Sequence, residues 1–397
     1  MNWKKLSTFF CLYIIQAIPM SFFSTAIPVI MRQNSYSLAS IGLLQLIKIP
    51  WIIKFLWSPL VDRNTNSVLS YKRWIIYSEI FYAVTILLIS FFDLEIHFPI
   101  IIALLVFAFF ASATQDIATD AFAIVSFKKG EMSMLNSMQS MGSFAGALIG
   151  SGVLLLVYNA IGWTKMLPML SLVVLLAISP LCLLYKNRTT PILHKQKANK
   201  LDMFIFFSQK HIYKQIGFLL LFYSGIIGML AMVRPYFVDN GYSMKEIGIM
   251  SGVVGTSVAC VCAFFSGQII KKIGIYYSRI LYATIIFLSS VYFYILSQIG
   301  TTTPLMYIGV ILLWASYGLA SVLVYTSSMQ MVRSGREGTD FTIQTVLTHF
   351  SGMIVAICGG KIADIFNYEG LFVFEMILGA ISLLYILLLF KKEKNNG

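Results

Sequence analysis

A chain of 397 residues that is 58% apolar and only 11% charged lies outside the roughly 45–50% apolar, about 25% charged range of ordinary soluble domains. Its mean hydropathy of +0.82 and recurrent apolar runs of about twenty residues describe an all-α polytopic membrane protein, and the alternating segments of about ten residues that build a membrane β-barrel do not occur in it. The net charge of +13 does not indicate nucleic acid as a partner, because the basic residues sit in short loops between apolar runs, where they orient a membrane protein.

Twelve spans are predicted, at residues 6–31, 39–61, 73–92, 98–126, 132–157 and 165–185, then 213–238, 244–268, 278–298, 303–330, 340–365 and 368–390. The opening MNWKK runs into a long apolar stretch without a small-residue cleavage site, so it reads as a first span and not as a cleaved leader. With the N-terminus in the cytoplasm, 22 of the 29 basic residues fall on the cytoplasmic side, among them Arg63, Lys72, Arg73, Arg333 and Arg336. That bias predicts a cytoplasmic (inner) membrane protein with both termini cytoplasmic.

The polar, basic stretch 186–212 separates residues 1–185 from 213–397, two bundles of six spans each. Its cations suit anionic membrane lipids as well as plain solvation. The halves share a register displaced by 206 residues. Ser40-Ile41-Gly42 falls on Glu246-Ile247-Gly248, Ser143-Phe144-Ala145-Gly146 on His349-Phe350-Ser351-Gly352, and Glu131 on Glu337. Two duplicated six-span halves are the plan of a secondary transporter, with its solute site at the midplane between pseudo-repeats.

The second span carries Lys54 in KFLWSPLVDR. A lysine in hydrocarbon costs about 2.5 to 3.5 kcal/mol on insertion scales, so it demands a partner or an aqueous cavity. The fourth span offers one, because Asp116 and Asp120 are four apart on one helical face, with Gln115 and Thr119 beside them. At 1.5 Å per residue Asp116 lies about 15 Å from the cytoplasmic end, Asp120 about 9 Å and Lys54 about 12 Å. The depths allow two readings. Asp116 or Asp120 couples solute movement to protons with Lys54 as modulator, or Lys54–Asp116 and Asp120 with Arg63 or Arg73 are fixed ion pairs that lock two helices.

The displaced register puts Cys260, Val322 and Thr326 where the first half has Lys54, Asp116 and Asp120, so the second half lacks these charges. It offers instead Ser321, Tyr325, Thr326, Gln344, Thr345, Thr348 and His349, which suit a hydrogen-bonding solute wall or simple helix-to-helix bonding. Lys48, deep in the second span, is a candidate cation for an acidic solute, with Glu79 or Asp116 as alternative ion partners, and Gln115 a candidate lining residue. The glycine-rich GSFAGALIGSG of the fifth span reads as small-residue packing between helices. The five cysteines lie in apolar runs without metal-ligand spacing, which argues against both a disulfide framework and a metal site. Neither a phosphate-cradling loop nor a hydrolase or metalloprotease motif is present, so the chain is expected to be no enzyme and to need no cofactor.

Leu60-Val61-Asp62-Arg63, followed by Lys72-Arg73, resembles the loop motif between the second and third helices of the major facilitator superfamily, with Pro59 in place of the usual preceding glycine. KFLWSPLVDR with TQDIATDA and REGTDFT resembles its branch of AmpG-type muropeptide permeases, acetyl-CoA transporters and RhtX/FptX siderophore importers. The resemblance implies gating by Asp62, Arg63 and Arg73. The opening LYIIQAIPMSFFSTAIPVIMRQNSYSLASIGLL and the twelve-span length are most similar to the siderophore importers. The expectation is a monomeric, proton-coupled importer of a siderophore-like small molecule, with a muropeptide cargo, export or ligand sensing as alternatives.

Overall fold

The structure, a computed structural model, describes residues 3–33, 47–93, 96–184, 198–199 and 201–390. Ser40-Ile41-Gly42, residues 186–197 of the expected linker and the basic residues Lys391, Lys392 and Lys394 lie outside the described residues. Everything regular among the described residues is helical: α1 (Trp3–Gln33), α2 (Ile49–Ile53), α3 (Ser58–Arg63), α4 (Val68–Ile89), α5 (Phe98–Ser126), α6 (Met132–Leu148), α7 (Leu154–Ile161), α8 (Trp163–Leu176) and α9 (Ile178–Leu184). The chain continues with α10 (Asp202–Phe207), α11 (Ile212–Phe222), α12 (Ser224–Asp239), α13 (Met244–Ile247), α14 (Thr256–Ile299), α15 (Thr303–Gln330) and α16 (Glu337–Leu389). α14 turns at Gly274, whose φ of 82° only glycine adopts freely, and α16 breaks at Phe366–Asn367, so each of these helices makes two passes. Eight continuous helical segments are long and apolar enough to span a bilayer. With these two hairpins, α4 and the broken run 49–63, the described residues make twelve helical passes.

The 206-residue register reaches the helix ends. Displaced by it, α1 would cover 209–239 and α5 304–332, against Ile212–Asp239 and Thr303–Gln330; residues 163–184 would cover 369–390, where the last pass of α16 runs to Leu389.

The second span is broken next to Pro59, a helix breaker in its sequence. Between α2 and α3 lies a 3₁₀ turn, Lys54–Leu56, closed by Trp57 N–H donating to the Lys54 carbonyl at 3.3 Å. Pro59 has no N–H for the Phe55 carbonyl and its ring would collide with it in a regular helix. The Ser58 hydroxyl takes over as donor to that carbonyl at 3.1 Å.

Two compact units emerge. Unit 1 comprises residues 1–129, 142–204 and 331–343; unit 2 comprises 130–141, 205–330 and 344–397. In unit 1, Phe22 and Phe23 of α1 pack with Tyr82 and Ile86 of α4, Phe109 of α5 and Leu167 and Leu170 of α8. Unit 2 is built on aromatic contacts such as Tyr236–Phe372 and Phe293–Phe372, and on close helix approach, with Gly255 against Trp314 and Gly318 against the Ala259 backbone.

The glycine stripe of the fifth span does what its composition implies. Gly142, Gly146 and Gly150 recur every four residues and let α1 approach until backbones touch. A Cβ on Gly146 would lie 2.4 Å from the Ile14 carbonyl oxygen and 2.7 Å from Ala17 Cβ, whereas one on Gly152 would meet nothing within 4 Å. Gly146→Ala is therefore expected to lose about 1–3 kcal/mol, despite the gain of about 1 kcal/mol in helix propensity. Gly152→Ala should hold or raise the melting temperature in detergent. Equal melting temperatures for the two variants would contradict this packing.

Candidate functional site

The turn at Lys54–Leu56 carries the buried lysine. Lys54 is 2% exposed, and its Nζ donates to Asp116 Oδ2 on α5 in a close ion pair. The other carboxylate oxygen accepts from Gln16 Nε2 on α1 at 3.0 Å, and the Trp51 ring lies 4.8 Å from the ammonium. One turn along α5, Asp120 accepts from the Tyr13 hydroxyl at 2.7 Å. Tyr13 and Gln16, three apart, face Asp120 and Asp116, four apart, in reversed order. Two antiparallel helices thus present a ladder of polar groups to each other.

Asp120 meets a phenol where Asp116 meets an ammonium. Of the two readings of that carboxylate, the ion pair with Arg63 or Arg73 gives way to a phenol, because both arginines are exposed and form no ion pair among the described residues. Lys48 is half-buried with no acidic partner among the described residues, so its pairing with Glu79 or Asp116 is not formed. Gln115 is buried on α5 with neither end of its amide hydrogen-bonded. Tyr13 and Gln16 were not singled out by the sequence, since neither residue type stands out in an aromatic-rich apolar run.

Asp62 forms a second buried site in unit 1. Fully buried at the end of α3, it accepts from the backbone N–H groups of Gly338 (3.1 Å) and Thr339 (2.7 Å), the Thr339 hydroxyl (2.7 Å) and the Tyr71 hydroxyl (2.8 Å). These N–H groups belong to the first turn of α16, which has no intrahelical acceptors for them and whose dipole favours an anion. Tyr71 also reaches Glu337 at 3.5 Å. Alongside, Arg333 grips Asp340 through Nε at 2.8 Å and a terminal nitrogen at 2.6 Å and donates to the Asp202 carbonyl, while Arg336 Nε pairs with the Asp202 carboxylate at 2.6 Å. The bidentate Asp340 contact holds the Arg333 guanidinium above its usual range. Of the expected gating residues, the structure puts Asp62 in this cluster and leaves Arg63 and Arg73 on the exposed face. Asp202, Arg333 and Arg336 were missed as a site because 131 residues of sequence separate Asp202 from Arg333.

In unit 2 the expected solute-wall residues are partly committed to one another. Gln344 accepts from Gln215 at 3.1 Å and donates to the Ser328 carbonyl at 3.0 Å, and Thr348 donates to the Gln344 carbonyl. Gln215 in turn accepts from Ser327, which Arg279 approaches at 2.5 Å. Ser321 donates to the Gly318 carbonyl, Tyr325 is half-buried and His349 exposed. Asn136 donates to Thr326 at 3.3 Å. The five cysteines are free. Among the described residues no group of three or more His, Cys, Asp or Glu side chains is arranged to hold a metal ion.

The sequence model of the Major Facilitator Superfamily matches residues 9–356. The chain is 25% identical over 358 residues to the provisionally assigned transporter AmpG 3 of Rickettsia typhi, covering 84% of each protein. It is 21% identical over 377 residues to the anhydromuropeptide permease of Escherichia coli K12, covering 93% of this chain and 76% of that one. The fold is similar to the Escherichia coli fucose:proton symporter (TM-score 0.75, 13% identity, 98% of this chain and 99% of the other). It is similar also to a bacterial homologue of the iron transporter ferroportin in an outward-facing state (TM-score 0.74, 14% identity, the same coverage).

Two outcomes follow from the buried charges. Lys54→Met strands a carboxylate inside the bundle and is expected to cost about 3–5 kcal/mol, whereas Lys54→Met with Asp116→Leu should recover most of that loss. Melting temperatures of the two variants in detergent test this, and an equal loss in both would show that the pair is not what matters. Asp62→Ala leaves the first N–H groups of α16 without an acceptor and should cost about 2 kcal/mol. Hydrogen exchange at Gly338 and Thr339 should accelerate, and Asp62→Asn, which keeps an acceptor oxygen, should fall between.

Proposed function

The chain belongs to the major facilitator superfamily and is a membrane transporter of small-molecule solutes, and we propose that it imports a bulky polar solute together with protons, with Asp116 as the coupling carboxylate. The observation that carries this reading is the Lys54–Asp116 pair at a helix break. With Lys54 against it, Asp116 is paired with a cation. A shift of the 3₁₀ turn that withdraws the ammonium leaves the carboxylate in a poorly solvated place, where it takes up a proton; return of the lysine expels it. Asp120, which accepts from the Tyr13 hydroxyl, takes a supporting part.

The anhydromuropeptide permease among its relatives supports a muropeptide as cargo. The ferric-siderophore class, to which the opening stretch of the sequence leans, is the second reading. Lys48, Gln115 and the groups of the second half (Ser321, Tyr325, Gln344, Thr348, His349) are the solute-lining candidates, with His349 exposed and Lys48 without an acidic partner among the described residues. The Asp62 cluster acts as a latch on the cytoplasmic side of an inner-membrane protein whose termini both face the cytoplasm. Residues 1–185 and 213–397 act as the two six-helix halves of a monomer.

Uptake into proteoliposomes under an imposed pH gradient tests the proposal, with labelled anhydromuropeptide and labelled ferric siderophore as parallel cargoes. Asp116→Asn should reduce gradient-driven accumulation at least about tenfold, equivalent to about 1.4 kcal/mol, while gradient-independent counterflow persists. Asp120→Asn should lose less. Accumulation by Asp116→Asn at the wild-type level removes this carboxylate from coupling, and transport of the siderophore alone reverses the cargo assignment.

A further inference from the structure

A groove of about 540 Å³ runs along the surface of unit 1 between α4 and α5. Its two ends differ in chemistry. Asn64, Ser70 and Arg73 line it near the start of α4, and Phe81, Phe107 and Phe110 line it further in. On α4, Arg73, Tyr77 and Phe81 recur every four residues, so one helical face carries the groove from cation to aromatic ring over about 12 Å. Tyr77, Phe81 and Phe107 are 68%, 52% and 59% exposed, an apolar surface that in a membrane meets acyl chains. Arg73 is exposed and forms no ion pair among the described residues, and the exposed Arg63 adds positive charge at the same end.

The geometry points to a bound anionic phospholipid, its phosphate held by Arg73 with Asn64 and Ser70, and one acyl chain lying along Tyr77, Phe81, Phe107 and Phe110. Charge complementarity selects the head group. The exposed Arg73 and Arg63, with no acidic residue among those lining the groove, favour a net-negative lipid over a zwitterionic one, whose amine would meet like charge. The apolar length selects a lipid over a free anion.

The occupant touches the charged site through two side chains. Phe110 stacks on Trp57 at 4.1 Å between centroids, and Thr114, also lining the groove, accepts from Trp57 Nε1 at 3.1 Å. Trp57 directly follows the turn that carries Lys54. A chain packed on Phe110 and Thr114 therefore braces that turn. The binding site stands independently of the proton-coupling proposal; only the effect of the lipid on Lys54 rests on it.

Native mass spectrometry and thermal melting of the full-length chain in detergent test the site, with titration by phosphatidylglycerol, by phosphatidylethanolamine of the same chains, and by inorganic phosphate. Retention of one phosphatidylglycerol with a raised melting temperature is expected, with phosphatidylethanolamine weaker by about fivefold and phosphate without effect. Arg73→Ala, on the exposed face, should lower phosphatidylglycerol retention about fivefold, and Ala111→Trp, which fills the groove, should lower it independently of charge. Equal retention of the two lipids, stabilisation by phosphate alone, or unchanged retention in Arg73→Ala would each overturn the proposal, and none of these readouts depends on transport.

Discussion

A lysine ammonium inside a helical membrane bundle is tolerated only when something nearby compensates its charge, and the contact of Lys54 with Asp116 is the constraint around which unit 1 is built. It fixes the second pass against α5, and Gln16 on the remaining carboxylate oxygen fixes α1 against both. The glycine stripe of Gly142, Gly146 and Gly150 then holds α1 against the fifth pass as well. Three helices thus meet around a pair of charges, and the pass that supplies the cation is the one whose helix is interrupted. The interruption follows from Pro59, and the freed Phe55 carbonyl is satisfied by Ser58, so the break leaves that backbone acceptor bonded.

Asp116 and Asp62, two of the buried carboxylates of this unit, are compensated in different ways. Asp116 owes its neutralisation to one flexible side chain, so a rotation of Lys54 is enough to change its surroundings. Asp62 is held by two backbone N–H groups, a threonine hydroxyl and a tyrosine hydroxyl. Releasing it requires moving the first turn of α16 as a piece. The Arg333–Asp340 and Arg336–Asp202 pairs lie beside that turn and add further contacts to it.

Much of this was legible in the sequence, for physical reasons that differ by feature. The passes follow from apolar length, and the 206-residue register predicts helix ends such as Asp239 and Leu389 to within a residue or so because duplicated halves conserve span lengths. Counting depths at a fixed rise per residue puts Lys54 within about 3 Å of the depth of Asp116. What counting does not give is rotation about each helix axis. Tyr13 and Gln16 meet Asp120 and Asp116 only because α1 presents that face, and nothing in their local sequence says so. Nor does proline alone predict a break. α1 contains Pro19 and Pro28 and remains continuous, while the second pass opens at Pro59. The Asp202–Arg333 contact is a matter of tertiary register over a long stretch of chain.

The asymmetry between the halves has a steric basis. Where the first half carries Lys54, the second carries Cys260, whose thiol approaches the Met141 carbonyl at 3.6 Å. The neighbouring Ala259 backbone is so close to Gly318 of α15 that a Cβ there would lie 2.3 Å from the carbonyl oxygen. Helices packed at this distance have little room for a long cationic side chain. Thr326, in place of Asp120, needs only the Asn136 amide. At these register positions the second half uses close backbone approach and neutral hydrogen bonds, whereas the first half, with its interrupted helix, holds a charge and its counter-charge. At these matched positions the charged pair lies where the helix is broken, and the neutral contacts lie where the helices approach most closely.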